Sequence, residues 1–230
     1  MRNIFIFLIS IVSINFYAQS KLEIPNNYKE TEIPKENSEE HRKLNYSEDI
    51  SIKLNGKKIK TFKTQRKKDS EFKFQKGFLI GTDHGEWGGK LTFKINDNEI
   101  VIKEGNIFSI FEIDGKIYFM EGLAHGATNY GKIYALEYTI DKFSYHKVLE
   151  LPDEPEVFTI TNNKIYIATF ENLLIIKDWK IEYKMKGFWK SLYPNSIIVE
   201  NENSVFLGIR GGIVQILPNG NTIKLYTKIN

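Results

Sequence analysis

The chain has 230 residues, a formal charge of +3 and no cysteine. The missing cysteine excludes disulfides, a lipid-modified N-terminal cysteine, a thiol nucleophile and thiolate metal sites. The near balance of charge gives no ground to expect a nucleic-acid partner, and the length and hydrophobic content suffice for one domain with a sizeable core.

Residues 1–20 place Arg2 ahead of an apolar run from Ile4 to Ile14 and end in Ala18-Gln19-Ser20. That order of charge, apolar run and small residues predicts a cleavable signal peptide. No second run of about 18 to 20 apolar residues follows, so no transmembrane segment is expected after cleavage. The expected location is secreted or periplasmic. Residues 21–48 are polar, carry two prolines and hold few core residues. They are expected to form a flexible tether.

Residues 49–69 read as a basic hairpin. Ile50, Ile52 and Leu54 alternate with polar residues, Asn55-Gly56 supplies the turn, and the lysine-rich KKIKTFK returns. Lys53 through Lys76 carries nine lysines and Arg66 against Asp69 and Glu71. Contact with an anionic surface is one reading of that run; lysine protecting a sheet edge is the other.

From residue 70 to 230 the chain repeats. Small-residue strand starts at Gly89, Gly131, Asn172 and Gly212 are spaced by 42, 41 and 40 residues. Each repeat holds four short apolar segments, lettered a to d here. One repeat runs NIFSIFEI, KIYFMEG, KIYALEYT and SYHKVLEL; another runs EVFTIT, KIYIATF, LLIIKD and IEYKMK. A period near 40 with four strands per unit predicts an all-β, β-propeller-like fold of about four to five four-stranded antiparallel blades. Residues 49–230 form that domain, with four full blades and the hairpin as a candidate fifth. A β-sandwich of the same strands is the alternative.

The repeat pattern resembles the bacterial YVTN and WD-repeat propellers. The stretches GEWGG, EGLAHG and GFWKSLYPNS together are similar to a group of secreted bacterial propeller-like proteins of unknown function. The likeness covers roughly residues 75 to 225 and implies an architecture and no catalytic residue. The terminal Trp-Asp dipeptide of true WD repeats is missing. The fragment MEGLAHGATNYGKIYALEY also resembles one blade of a propeller glutaminyl cyclase.

In such a fold the a–b and c–d turns face one way, and the b–c loops and d–a crossovers face the other. The first set, among them IDGK, TNNK and PNGN, are ordinary turn formers. The second set holds every chemically unusual stretch: TDHGEWGG, GLAHGATNYG, LPDEPE, GFWKSLYPN and GIRGG. Binding groups concentrate on loops that a rigid scaffold holds together. The candidate ligand residues are therefore Asp83, His84, Glu86, Trp87, Glu121, His125, Asn129, Tyr130, Glu154, Glu156, Trp189, Tyr193, Asn195 and Arg210, with Asp153 beside them.

Aromatics beside amides and carboxylates suit a glycan, peptide or protein ligand, and the leading expectation is a non-enzymatic binding protein. The alternative is a small lyase, hydrolase or cyclase using His84, Glu86, Glu121 and His125 for acid–base chemistry. A third reading is a structural or immunity-type interaction protein. No Gly-x-Ser-x-Gly elbow and no phosphate-binding glycine loop is present. Zinc on His84 and His125 lacks short paired spacing, calcium at the acidic crossover lacks a loop consensus, and no cofactor or metal is expected. The structural reading of single residues stands beside all of these: Trp87 and Trp189 as plugs between blades, Glu121 or Glu156 as caps on strand-end amides.

Overall fold

The computed structural model describes residues 22–64, 69–140 and 142–229. The expected signal peptide lies outside the described residues. Four antiparallel sheets carry the repeats. Blade 1 runs β4 (Asp69–Phe74), β5 (Gly77–Thr82), β6 (Lys90–Ile95) and β7 (Asn98–Glu104). Blade 2 runs β8 (Ile107–Ile113), β9 (Lys116–His125), β10 (Thr128–Thr139) and β11 (Lys142–Leu151). Blade 3 comprises β12 (Pro155–Thr161), β13 (Lys164–Thr169), β14 (Asn172–Lys177) and β15 (Lys180–Lys186). Blade 4 comprises β16 (Ser196–Asn201), β17 (Ser204–Ile209), β18 (Gly212–Leu217) and β19 (Thr222–Lys228). The hairpin is β2 (Ile50–Asn55) with β3 (Lys58–Lys63), a separate two-stranded sheet.

The core lies between blades, and strand parity sorts it. In β13, Ile165 and Ile167 face blade 2, where they join Tyr118, Met120 and Leu174. Their neighbours Tyr166 and Ala168 face blade 4 and join Leu173, Val205 and Val214. A third cluster joins blades 1 and 2 through Leu79, Leu91, Phe119 and Leu136. A fourth joins blade 4 to the hairpin through Phe206, Ile213, Ile52 and Ile59. Strands buried on both faces are apolar at nearly every interior position, and this is why the interiors of β13 and β14, IYIA and LLII, read as unbroken apolar runs. The sheets stand around a central channel of about 400 Å³ lined by the first residues of β4, β8 and β12, with Thr64 and Asn195. That arrangement is propeller-like and sets aside the sandwich.

The hairpin occupies a fifth position beside blade 4: β2 packs on β16 and β17, and the Ile52 amide donates to Ser196 Oγ at 2.8 Å. None of the four clusters spans the boundary between hairpin and blade 1. The hairpin's lysines are partly spent on local carboxylates, Lys58 on Glu23 and Lys63 on Glu48.

The expected tether is ordered from Leu22 onward, which corrects the sequence reading. Tyr28–Thr31 forms β1, which adds to β19 as a fifth strand of blade 4. Glu39–Asn45 forms α1, capped where Ser38 Oγ accepts from the His41 amide, with Glu39 and Glu40 in its first turn. Few apolar residues were available, and three of them serve as anchors. Leu22 and Tyr28 bury against Phe206 and Tyr226, and Leu44 packs on the Trp189 cluster.

The a–b and c–d turns follow their sequence. Asp114-Gly115 and Asn162-Asn163 each place both central residues at positive φ, the type I′ geometry that suits twisted strands.

Candidate functional site

The b–c loop of blade 1 leaves β5 at Thr82 and returns at Lys90. It contains a single 3₁₀ turn at Gly85–Trp87. Asp83 shapes its start, with Oδ1 accepting from the Gly85 amide at 2.8 Å. Thr82 Oγ1 accepts from the Lys90 amide at 3.0 Å and pins its neck. Asn106, buried in the crossover to blade 2, donates to the Gly85 carbonyl at 2.7 Å. The loop is thus held from three directions and presents its side chains on a fixed frame.

The corresponding part of blade 2 is not a loop. β9 continues to His125 and β10 begins at Thr128, so the expected GLAHGATNYG loop is a paired ribbon ending in a two-residue turn. Gly126 sits at φ +59° in that turn's first central position, where a type II′ turn takes glycine. The ribbon carries His125 out over blade 1, where its Nε2 lies 2.9 Å from Glu86 Oε2.

Six of the expected residues surround one cavity of about 180 Å³: Asp83, His84, Glu86, His125, Glu154 and Tyr193. Phe108, Leu123 and Ala124 complete its apolar wall. No lysine or arginine stands among the described lining residues. Phe108 also lines the central channel, so the cavity and the channel meet at that ring. Glu156 and Asn195 belong to the channel, together with Asp69 and Glu71. Tyr193 adopts φ +47°, a left-handed conformation that costs a bulky side chain roughly 1 kcal/mol or more. Arg210 stacks on its ring at 4.6 Å and Phe170 meets it edge-on at 6.3 Å.

The remaining expected residues lie elsewhere. Trp189 is 0% exposed, its Nε1 donating to the Thr169 carbonyl at 3.0 Å, and it fills the gap between blades 3 and 4. Trp87 is the reverse case, 84% exposed on the 3₁₀ turn and plugging nothing. Glu121 faces the interface of blades 1 and 2, paired with Lys103 Nζ at 2.8 Å. Tyr130 points its hydroxyl at Glu121, 3.5 Å away. Burial first, and the Glu121 charge second, push the Tyr130 and Tyr134 hydroxyls upward in pKa. Asn129 accepts from the Glu154 amide at 2.9 Å and so fixes the crossover. Asp153 does the same work for blade 3, accepting from the Glu171 amide at 2.6 Å and from Asn172 Nδ2 at 2.7 Å. Arg210 fastens the N-terminal segment, its Nε donating to Asp49 Oδ1 at 2.9 Å and its other nitrogen to Asn45 Oδ1 at 2.9 Å.

Sequence reasoning missed Phe108, Asp69 and Glu71. The first residues of each a strand line the channel of any propeller, so their position in the repeat was the available signal. Among the described residues no group of three or more His, Asp or Glu side chains is placed to ligate a metal ion. Nor is any described helix long and apolar enough to cross a membrane.

No protein-family model matches the chain, and no curated protein sequence matches it. Solved structures give distant likenesses. A streptogramin B lyase aligns at 16% identity and a TM-score of 0.40, over 86% of this chain and 57% of that one. A virginiamycin B lyase from Staphylococcus aureus aligns at 16% identity and 0.38, over 86% and 59%. The tricorn protease aligns at 19% identity and 0.41, over 78% of this chain and 20% of that one. The chain spans less than two thirds of the length of each. The propeller-like assignment rests on the sheets and channel described above.

Proposed function

We propose that this is a secreted binding protein of the propeller-like type, holding a peptide or protein partner by a basic side chain on its b–c and d–a face. The observation that carries the reading is the cavity with the Asp83 and Glu86 carboxylates, two imidazoles, and no cationic residue in its described lining. At about 180 Å³ it accommodates an ammonium or guanidinium head rather than a drug-sized molecule, which needs ~300 Å³ or more. The adjoining channel extends the negative lining through Asp69 and Glu71. Trp87 stands exposed on the same turn as Glu86, a flat apolar surface available to the partner. The signal-like residues 1–20 support export.

The test is calorimetric titration with short peptides that differ only in lysine, arginine, norleucine or glutamate at one central position. The lysine and arginine peptides should bind, more weakly at higher salt, and Glu86→Gln should weaken them roughly tenfold, about 1.4 kcal/mol. Equal affinity for the norleucine and lysine peptides would show that charge does not select the ligand.

One observation favours a second reading. The His125–Glu86 pair at 2.9 Å, with His84 beside it, has the make-up of an acid–base couple. Glu121 leaves that set because Lys103 occupies it. In an enzyme His125→Ala abolishes turnover and spares affinity, and Trp87→Ala does the opposite. In a binder His125→Ala leaves most affinity intact.

A further inference from the structure

We propose that the cleft between blades 3 and 4 on the opposite face is a second binding site, which takes one neutral polyhydroxylated ring such as a pyranose unit of a glycan. The a–b and c–d turns on that face look ordinary in sequence, but they surround a cavity of about 190 Å³. Its inner end is Tyr166, which is 0% exposed and whose hydroxyl makes no hydrogen bond within the described structure. Burial raises the pKa of that phenol, and the nearby charges acting on it are Lys164, Glu202 and Glu182, all of which line the cavity. Tyr166 thus shares one cavity with this charged rim. An unpaired buried hydroxyl is a cost to the fold, one that an acceptor entering the cavity removes.

The rim decides the ligand's charge. Lys164 Nζ bridges Glu202 at 3.0 Å and Glu182 at 3.4 Å, so the blades are joined there by one lysine that partly neutralises two carboxylates. An anion entering the cleft meets two carboxylates, and a cation meets the lysine. A neutral molecule rich in hydroxyls avoids both penalties, because hydroxyls donate to the carboxylates and accept from Lys164 and Tyr166. Tyr183, held by its hydrogen bond to Asn221 Oδ1 at 2.9 Å, forms the apolar wall with Pro218 and Ile175. Flat apolar walls beside a few fixed polar groups suit the two faces of a sugar ring. The volume limits occupancy to a single ring.

The experiment is a two-dimensional NMR titration of the protein with the methyl pyranosides of glucose, galactose, mannose and N-acetylglucosamine. At least one should shift the amides of Lys164, Tyr183 and Asn203. Tyr166→Phe should weaken that ligand about five- to tenfold, the worth of one lost hydrogen bond, with a melting temperature equal to or above the parent's. Glu202→Gln, a rim substitution that leaves the core untouched, should also weaken it if the Phe variant folds poorly. Glu86→Gln on the other face should leave it unchanged, which separates this site from the peptide-binding reading. The proposal is overturned if none of the four glycosides moves those amides. It is also overturned if both Tyr166→Phe and Glu202→Gln bind as the parent does.

Discussion

Arg210 directly follows β17 and ties three segments to it, so Arg210→Ala tests how the ring is closed. Its side chain donates to Asp49 and Asn45, just outside the hairpin and at the end of α1, and it stacks on Tyr193. The Arg210 and Asp49 side chains are 27% and 21% exposed, so solvent screens part of the pairing. Charge-assisted hydrogen bonds in such settings contribute about 1.5 kcal/mol each at the low end of their range, and an exposed cation–π contact adds about 0.5. Discounted for exposure, the loss comes to about 2–3 kcal/mol, or roughly 5–10 °C in melting temperature for a chain of this size. Arg210→Lys keeps the charge but loses the fork and the flat stack, and should recover less than half of it. Hydrogen exchange would locate the damage: amides of α1, β2 and β3 lose protection first, and those of β13 and β14 stay protected. An Arg210→Ala protein that melts like the parent with its hairpin still protected would refute the reasoning. The hairpin would then be held by the packing of Ile52, Ile59, Phe206 and Ile213 and by hydrogen bonds such as that from the Ile52 amide to Ser196 Oγ.

Gly187→Ala should cost about 2–3 kcal/mol in urea unfolding, because its new methyl overlaps the Trp189 ring, which is fully buried and fixed to Thr169. Glu121→Gln leaves Lys103 buried without its partner and should cost about 3 kcal/mol. Adding Lys103→Met should restore much of that loss, and a double-mutant cycle measures how much. The hydrogen bond from Lys190 holds the Glu171 carboxyl below its usual pKa. A depressed carboxylate contributes stability above the unfolded value of 4.5, and loses it as the pH falls through the lower folded value. Glu171→Gln should therefore lower the melting temperature at neutral pH and flatten the acid limb of its plot against pH, the two proteins converging at low pH where the carboxyl is protonated.

Strands and period were legible because the burial of this fold is symmetric. A middle strand such as β14 feeds Leu173 and Ile175 to blade 4 and Leu174 and Ile176 to blade 2. Its apolar run and its boundaries therefore appear directly in the sequence. The N-terminal segment was hidden for the opposite reason. β1 is held mainly by backbone hydrogen bonds to β19, which leave no side-chain pattern, and its anchors Leu22 and Tyr28 are isolated apolar residues in polar surroundings. α1 did carry a signal in Ser38-Glu39-Glu40 followed by Arg42-Lys43, but seven residues give too little periodicity to stand out from a linker.

At the candidate site, composition identified the loops and could not orient the side chains. Trp87 and Trp189 are the same residue in loops on the same face, one exposed to solvent and the other sealed under Gly187. What orients the blade 2 residues is the length of β9. Because the strand runs to His125 rather than stopping near Gly122, alternation continues through Phe119, Glu121, Leu123 and His125 on one side. Phe119 packs into the blade 1 interface, so Glu121 follows it inward to Lys103. His125, two steps past Leu123 and beyond the covered part of the interface, emerges against Glu86 of blade 1. Parity thus puts both side chains on one side of β9, and position along the strand separates the structural glutamate from the cavity histidine. The same rule makes the His125–Glu86 contact depend on strand register: inserting a single residue between Glu121 and His125 should move the imidazole to the other face of β9 and break its contact with Glu86, read from the imidazole NMR shifts, while Glu121 and Lys103 remain paired.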